Sequence, residues 1–164
     1  VFGSASGLSS PLNMSSIDGT NGVVIRGIDA DDFAGYSVAG AGDVNGDGVA
    51  DVIIGSRAGV VGAGKIYIIF GSASGFTSPL NLNSLNGTNG LVINGINAND
   101  DAGSSVAGAG DVNGDGVADV IIGASRADPN GEHSAGEAYI VFGSASGLSS
   151  PLNMSSIDGT NGVV

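Results

Sequence analysis

Two nine-residue strings carry the densest chemistry in the chain. They are Asp43-Val44-Asn45-Gly46-Asp47-Gly48-Val49-Ala50-Asp51 and its unchanged copy Asp111-Val112-Asn113-Gly114-Asp115-Gly116-Val117-Ala118-Asp119. Oxygen-bearing side chains fall at the first, third, fifth and ninth positions, and glycine at the fourth and sixth. Calcium takes about six to eight oxygen ligands at roughly 2.3 to 2.6 Å, and a tight loop delivers them when alternate side chains converge and glycine permits positive φ. The expected ligands of one ion are Asp43, Asn45, Asp47 and Asp51 with the Val49 carbonyl. Those of a second are Asp111, Asn113, Asp115 and Asp119 with the Val117 carbonyl, the two valine side chains turning into the sheet. An EF-hand begins the same way but needs a glutamate at position twelve and a helix on each side. Here position twelve is Ile54 or Ile122. The plainer alternative is a hairpin whose Asp, Asn and Gly residues only satisfy turn geometry. Three carboxylates within nine residues repel one another without a cation, and a turn needs only one or two of them, so the cation site explains the loop better.

The strings belong to a larger repetition. DVNGDGVADVIIG runs from Asp43 to Gly55 and again from Asp111 to Gly123, and the 68-residue register holds from Val1 onward. Phe2-Gly3-Ser4-Ala5-Ser6-Gly7 returns at Phe70 and again at Phe142, the last step lengthened by four residues in the loop between Gly123 and Tyr139. Val1–Val24 is identical to Val141–Val164 but differs from Ile69–Val92 at eight positions. The order is A-B-A: residues 1–68 form repeat A, 69–140 repeat B, and 141–164 the start of another A. A unit of this size does not bury its apolar faces alone and needs neighbours.

The elements around the loops are short β-branched or aromatic runs bounded by Gly, Asn or Asp: Gly22–Gly27, Tyr36–Gly40, Asp51–Gly55 and Lys65–Phe70. Apart from a single turn after Pro11, between Leu12 and Ile17, no helical period is sustained. Four short strands per repeat predict an all-β fold built of β-propeller blades of four antiparallel strands. Two repeats and a duplicated partial repeat leave such a propeller open unless neighbouring copies complete it; a sandwich is the alternative.

Composition bounds the partners. Sixteen acidic and four basic residues give a net charge of −12, which disfavours nucleic acid and anionic membranes. Hydrophobic residues at 41% suffice for a core, and no apolar run approaches the roughly 20 residues of a spanning helix, so no membrane insertion is expected. There is no cysteine, hence no disulfide framework and no thiolate nucleophile. Without an initiator Met or a signal-peptide pattern, the chain reads as mature, trimmed or cut from something longer.

Taken together, Ser37-Val38-Ala39, the Asp43–Asp51 loop, Val52-Ile53-Ile54-Gly55 and Ile66–Gly71, with their second-copy equivalents, resemble the FG-GAP repeat of integrin alpha-subunit heads and of bacterial integrin-like extracellular proteins. The resemblance implies β-propeller blades with calcium in the hairpin between the first two strands, and an extracellular or cell-surface location. The family's Phe-Gly is represented by Phe33-Ala34-Gly35 and is lost from the second copy, where Asp101 stands. Its Gly-Ala-Pro is represented by Gly55-Ser56-Arg57 and Gly123-Ala124-Ser125.

Other candidates are weaker. Asp128-Pro129-Asn130-Gly131-Glu132 offers a second oxygen-rich loop, read here as a solvated acidic turn, and His133 beside it reads as solvent-exposed. Asp29, Asp31 and Asp32 become Asn97, Asn99 and Asp100 in the second copy, the mark of a solvated loop rather than a paired-carboxylate site. Gly40-Ala41-Gly42 precedes no helix, which makes a phosphate cradle a weak reading, and Arg26-Gly27 is followed by Ile28 rather than Asp, so there is no Arg-Gly-Asp motif. The expectation is a non-enzymatic, calcium-stabilised scaffold in a filament or tandem array, with further copies of the repeat as partners. The alternative is a recognition module for a protein or glycan ligand. Because no nucleophile, base and acid recur together, hydrolase screens on esters, glycosides and peptides are expected to stay at background. Turnover abolished by changing His133 would count against this.

Overall fold

A computed structural model describes residues 1–8, 10–57 and 62–164. The strands in chain order are β1 (Ile25–Arg26), β2 (Ala34–Gly42), β3 (Asp51–Ser56), β4 (Lys65–Ile69), β5 (Leu80–Asn81), β6 (Gly90–Asn94), β7 (Ala102–Gly110), β8 (Asp119–Ala124), β9 (Glu137–Val141), β10 (Leu152–Asn153) and β11 (Gly162–Val163). Single 3-10 turns at Met14–Ser16, Leu82–Ser84, Pro129–Gly131 and Met154–Ser156 are the helical elements among the described residues, and none is long and apolar enough to cross a membrane. The first of these is the turn expected after Pro11.

Two antiparallel four-strand blades follow from the pattern. In the first, β2 pairs with β3, β3 with β4 and β4 with β6; in the second, β7 pairs with β8, β8 with β9 and β9 with β11. The all-β blade architecture is as expected, and the sheets do not close into a ring. One expected grouping differs. The run Gly22–Gly27 does not join β2, β3 and β4; the fourth strand is Gly90–Asn94, its counterpart one copy later. The physical reason is connectivity: after β4 the chain turns back through residues 70–89 and lays its next apolar run along the free edge of β4, in register from Ile69 opposite Gly90 to Lys65 opposite Asn94. Each blade therefore straddles two sequence units. The strands of neighbouring units also touch in parallel, Ile25 opposite Leu80 and Leu152 opposite Ile93.

The core lies between the blades. Ile53, Ile66, Ile68, Leu91 and Ile93 of the first pack with Ala102, Val120, Ile122, Tyr139 and Val141 of the second. Because strand side chains alternate, the next residues along β3 and β4, Ile54, Tyr67 and Ile69, face the other way and are covered by Ile25, Phe76, Leu80, Leu82 and Leu85. Each such aliphatic side chain taken from water contributes about 1.5 to 3 kcal/mol.

The junction is close because glycine lies on it. A Cβ at Gly55 would stand 2.1 Å from the Gly103 carbonyl oxygen of the second blade, whereas one at Gly123 would meet only the movable Ser105 hydroxyl, at 2.3 Å. Gly55→Ala is accordingly expected to cost about 1 to 3 kcal/mol in urea unfolding, and Gly123→Ala, the same change in the same local sequence, clearly less. Equal costs would mean that the blades are not packed this way.

Candidate metal centre

Both acidic strings form the loop between the first two strands of a blade, β2–β3 and β7–β8. Gly46 and Gly48 take φ of 71° and 86°, and Gly114 and Gly116 take 79° and 89°, so the chain doubles back on itself within the loop. The carboxylates cap that turn from inside. Asp43 accepts from the N–H of Asp47 (3.0 Å) through one oxygen and of Gly48 (2.8 Å) through the other. Asn45 Oδ1 also accepts from Asp47 N–H, its amide donates to Asp47 Oδ2 at 2.9 Å, and Asp47 Oδ1 accepts from Val49 N–H at 2.8 Å. The second loop repeats the set: Asp111 on Asp115 and Gly116, Asn113 on Asp115, and Asp115 on Val117, all between 2.8 and 3.0 Å.

The ninth position is different in kind. Asp51 is buried at the start of β3 and accepts from Val44 N–H at 2.8 Å and from Gly71 N–H at 2.7 Å, one oxygen each. Asp119 does the same with Val112 at 2.8 Å and Gly143 at 2.9 Å. These carboxylates pin the head of the loop to the second residue past the third strand. Glycine is needed there, since a Cβ at Gly71 would come within 2.5 Å of Val49 Cγ1 and one at Gly143 within 2.7 Å of Val117 Cγ1. The two valine side chains thus pack over the strand exits, on the sheet side of their loops. Sequence reasoning placed Asp51 and Asp119 among the ligands and gave no sign of this second duty; the signal was the glycine after each Phe70 or Phe142.

As donors these residues suit a hard divalent cation. Each loop offers three carboxylates, one amide oxygen and a backbone carbonyl, and every carboxylate oxygen keeps a lone pair beyond its N–H bond except Asp111 Oδ1, which accepts from both Gly114 N–H and Asp115 N–H. Burial pushes the Asp51 carboxyl above its ordinary range, the N–H groups of Gly71 and Val44 draw it back, and the charges of Asp47 and Asp43 push it up again. The neighbourhood is short of positive charge. Among the described residues no three carboxylate or imidazole groups already stand together as a finished cage.

The remaining sequence candidates are also placed. His133 is exposed beside Asp100, Arg126, Asp128 and Ser134, around a hollow of about 400 Å³. Asp128 caps its own turn by accepting from Ser134 N–H. Asp29 and Asp31 are solvated as expected, but Asp32 is half-buried with its Oδ2 shut off from water and unpartnered, and Asp100 is buried and accepts from the Asn97 backbone and amide, so for these two the solvated reading is corrected. Asp101, next to it, receives Arg57 of the first blade at 3.1 Å and Arg126 of the second at 3.2 Å. A further feature that the sequence did not disclose recurs on both blades. Asp47, Phe70, Phe76 and Thr88 line a hollow of about 460 Å³, and Asp115, Phe142, Leu148 and Thr160 line its counterpart of about 370 Å³.

The FG-GAP repeat family model matches the chain twice, over residues 34–69 and 102–141. Each match runs from the start of the first strand of a blade to the end of the third and contains one acidic loop. No curated protein matches the chain.

Removing the pin and removing a loop cap should differ in cost. Asp51→Ala leaves two N–H groups without their charged acceptor and is expected to lower stability by about 3 kcal/mol or more, while Asp43→Ala, in the solvent-facing turn, costs about 1 kcal/mol. Urea unfolding in the presence of a chelator checks this; equal losses would remove the distinction.

Proposed function

Since residues 34–69 and 102–141 are FG-GAP repeats, integrin-like β-propeller repeats, we propose that the chain is a calcium-stabilised, non-enzymatic propeller segment of an extracellular structural or adhesive assembly. Further copies of the same repeat are its partners, in a filament or tandem array. The observation that carries the reading is the duplicated loop: the same oxygen donors, with the same hydrogen bonds, at the same place in each blade. Asp43, Asn45, Asp47 and Asp51 with the Val49 carbonyl would hold one calcium ion, and Asp111, Asn113, Asp115 and Asp119 with the Val117 carbonyl a second. When bound, the ion supplies the positive charge that three neighbouring carboxylates lack. The chain's own part is to present the oxygens from a turn whose ends are pinned by Asp51 and Asp119. Calcium at extracellular, near-millimolar levels suits a short loop of this kind.

A second reading rests on the paired hollows beside the loops. Phe76, with the hydroxyls of Ser72, Thr77 and Thr88 around it, offers the side-chain types that stack on and bond to a sugar, which favours a glycan-recognition role for the same face. Loss of glycan binding in Thr77→Ala, at an exposed hydroxyl, with unchanged thermal stability would favour it over a purely structural role.

Ion binding to the folded state alone stabilises by about 2.7 kcal/mol at a hundredfold excess over Kd. The thermal midpoint is therefore expected to rise with calcium and fall with a chelator. The rise should halve when Asp47→Asn removes one site and vanish when Asp115→Asn is added. A midpoint indifferent to both reagents would return the loops to ordinary turns.

A further inference from the structure

Each blade has two junction faces, and within this chain one of each pair is filled; on the other face of the first blade Ile54, Tyr67 and Ile69 are covered by Ile25, Phe76, Leu80, Leu82 and Leu85, and the part around Val38 and Val52 is open. Ile53 and Val44 of the first blade are 0% and 1% exposed against the second, but their counterparts Ile121 and Val112 are 36% and 50% exposed. Val120 of the second blade is 1% exposed against the first, but its counterpart Val52 is 37% exposed, beside Val38 at 64%. The polar ties across the filled junction are Ala118 N–H to the Asp43 carbonyl (3.1 Å), Ser144 N–H to the Val44 carbonyl (2.9 Å) and Ser37 Oγ to the Gly103 carbonyl (2.8 Å). All six residues have counterparts of identical type on the open faces: Ala50, Asp111, Ser72, Val112, Ser105 and Gly35.

The outer edge adds charge. On the first blade, β6 covers β4 along all five residues, ending with Asn94 opposite Lys65. On the second, β11 pairs Gly162 with Val141 and Val163 with Ile140 of β9. Continuing that register brings the residue equivalent to Asn94 opposite Glu137, and in repeat A that residue is Arg26.

We infer that the two open faces are the halves of one junction and that a second copy of this chain occupies each. The Ile121 face of one copy meets the Val38–Val52 face of the next, and Gly22–Arg26 of the second copy lies along β9 where β11 now begins, with Arg26 opposite Glu137. Because Gly22–Val24 and Gly162–Val164 are identical, one strand replaces the other along β9 contact for contact. The junction is head-to-tail and differs from the one inside the chain. There Asp101 holds Arg57 and Arg126; here the corresponding residues are Phe33 facing Ser125, without an ion pair. A first blade docked on its own kind would leave Arg57 without a carboxylate, so the two blade types alternate. This inference rests on the reading that further copies are the partners.

The test is sedimentation velocity on the 164-residue chain. The wild type is expected to associate with rising concentration. Val38→Asp and Ile121→Asp, both at exposed positions and checked for folding by circular dichroism, should each stay monomeric alone and form dimers and nothing larger when mixed. Arg26→Glu should weaken association about fivefold, and Glu137→Arg in a partner chain should restore it. Association untouched by Val38→Asp and Ile121→Asp would overturn this junction and leave the assembly reading standing. Self-association of either variant alone would mean a like-to-like contact and also overturn it. A wild type monomeric at every concentration would overturn both.

Discussion

The Asp51 carboxylate is buried with one oxygen on the N–H that opens its loop and the other on the N–H that follows β4, and Asp119 repeats the arrangement a blade later. A charge taken out of water is tolerated only where donors replace the water, and here two backbone N–H groups do so. With the head of the loop fixed, the carbonyls of Asp43 and Val44 are held where the second blade's Ala118 and Ser144 can donate to them. The turn that gathers oxygen donors is thus also a wall of the blade junction. A cation bound there would act on both.

Closeness at that junction depends on small residues in register. Gly55 abuts the Gly103 carbonyl and Gly108 abuts that of Gly40, which lets the β2 and β7 backbones approach and brings Ile53 and Val120 into a common core. The ionic contact sits at the rim. Arg57 and Asp101 are the places where the chain departs from the family's Gly-Ala-Pro and Phe-Gly, and the two departures meet in one ion pair with Arg126. Arg57 also lies over the Tyr36 ring, 5.6 Å from its centre. With the Asp101 carboxylate buried and the two arginines reaching toward water, the contact discriminates between partners that supply the opposite charge and partners that do not.

Much of this was legible in the residues. Short β-branched or aromatic runs bounded by Gly, Asn or Asp marked β2, β3, β4 and their copies, and β3 and β4, covered on both faces, read as continuous apolar stretches. The acidic loops were found by spacing alone. What spacing does not encode is which copy of a strand fills which edge: Gly22–Gly27 and Gly90–Gly95 are equivalent by pattern, and only the path of residues 70–89 decides between them. The same limit hid the double role of Asp51, because a ligand and a buried acceptor look alike in one dimension. It hid Asp101 as well, an apparent loss of a motif residue that is a gain of a contact in space.

The borrowing of each fourth strand from the following unit has a mechanical meaning. If the chain is pulled from its ends, the unit after a blade cannot move away as a separate bead, because its first strand is locked to β4 along five residue pairs from Lys65–Asn94 to Ile69–Gly90. Tension must strip that strand out of the preceding sheet before the boundary between units yields. Extension is then resisted by the same backbone bonds that hold the sheet together, and the stretched chain gives way within a blade rather than between units.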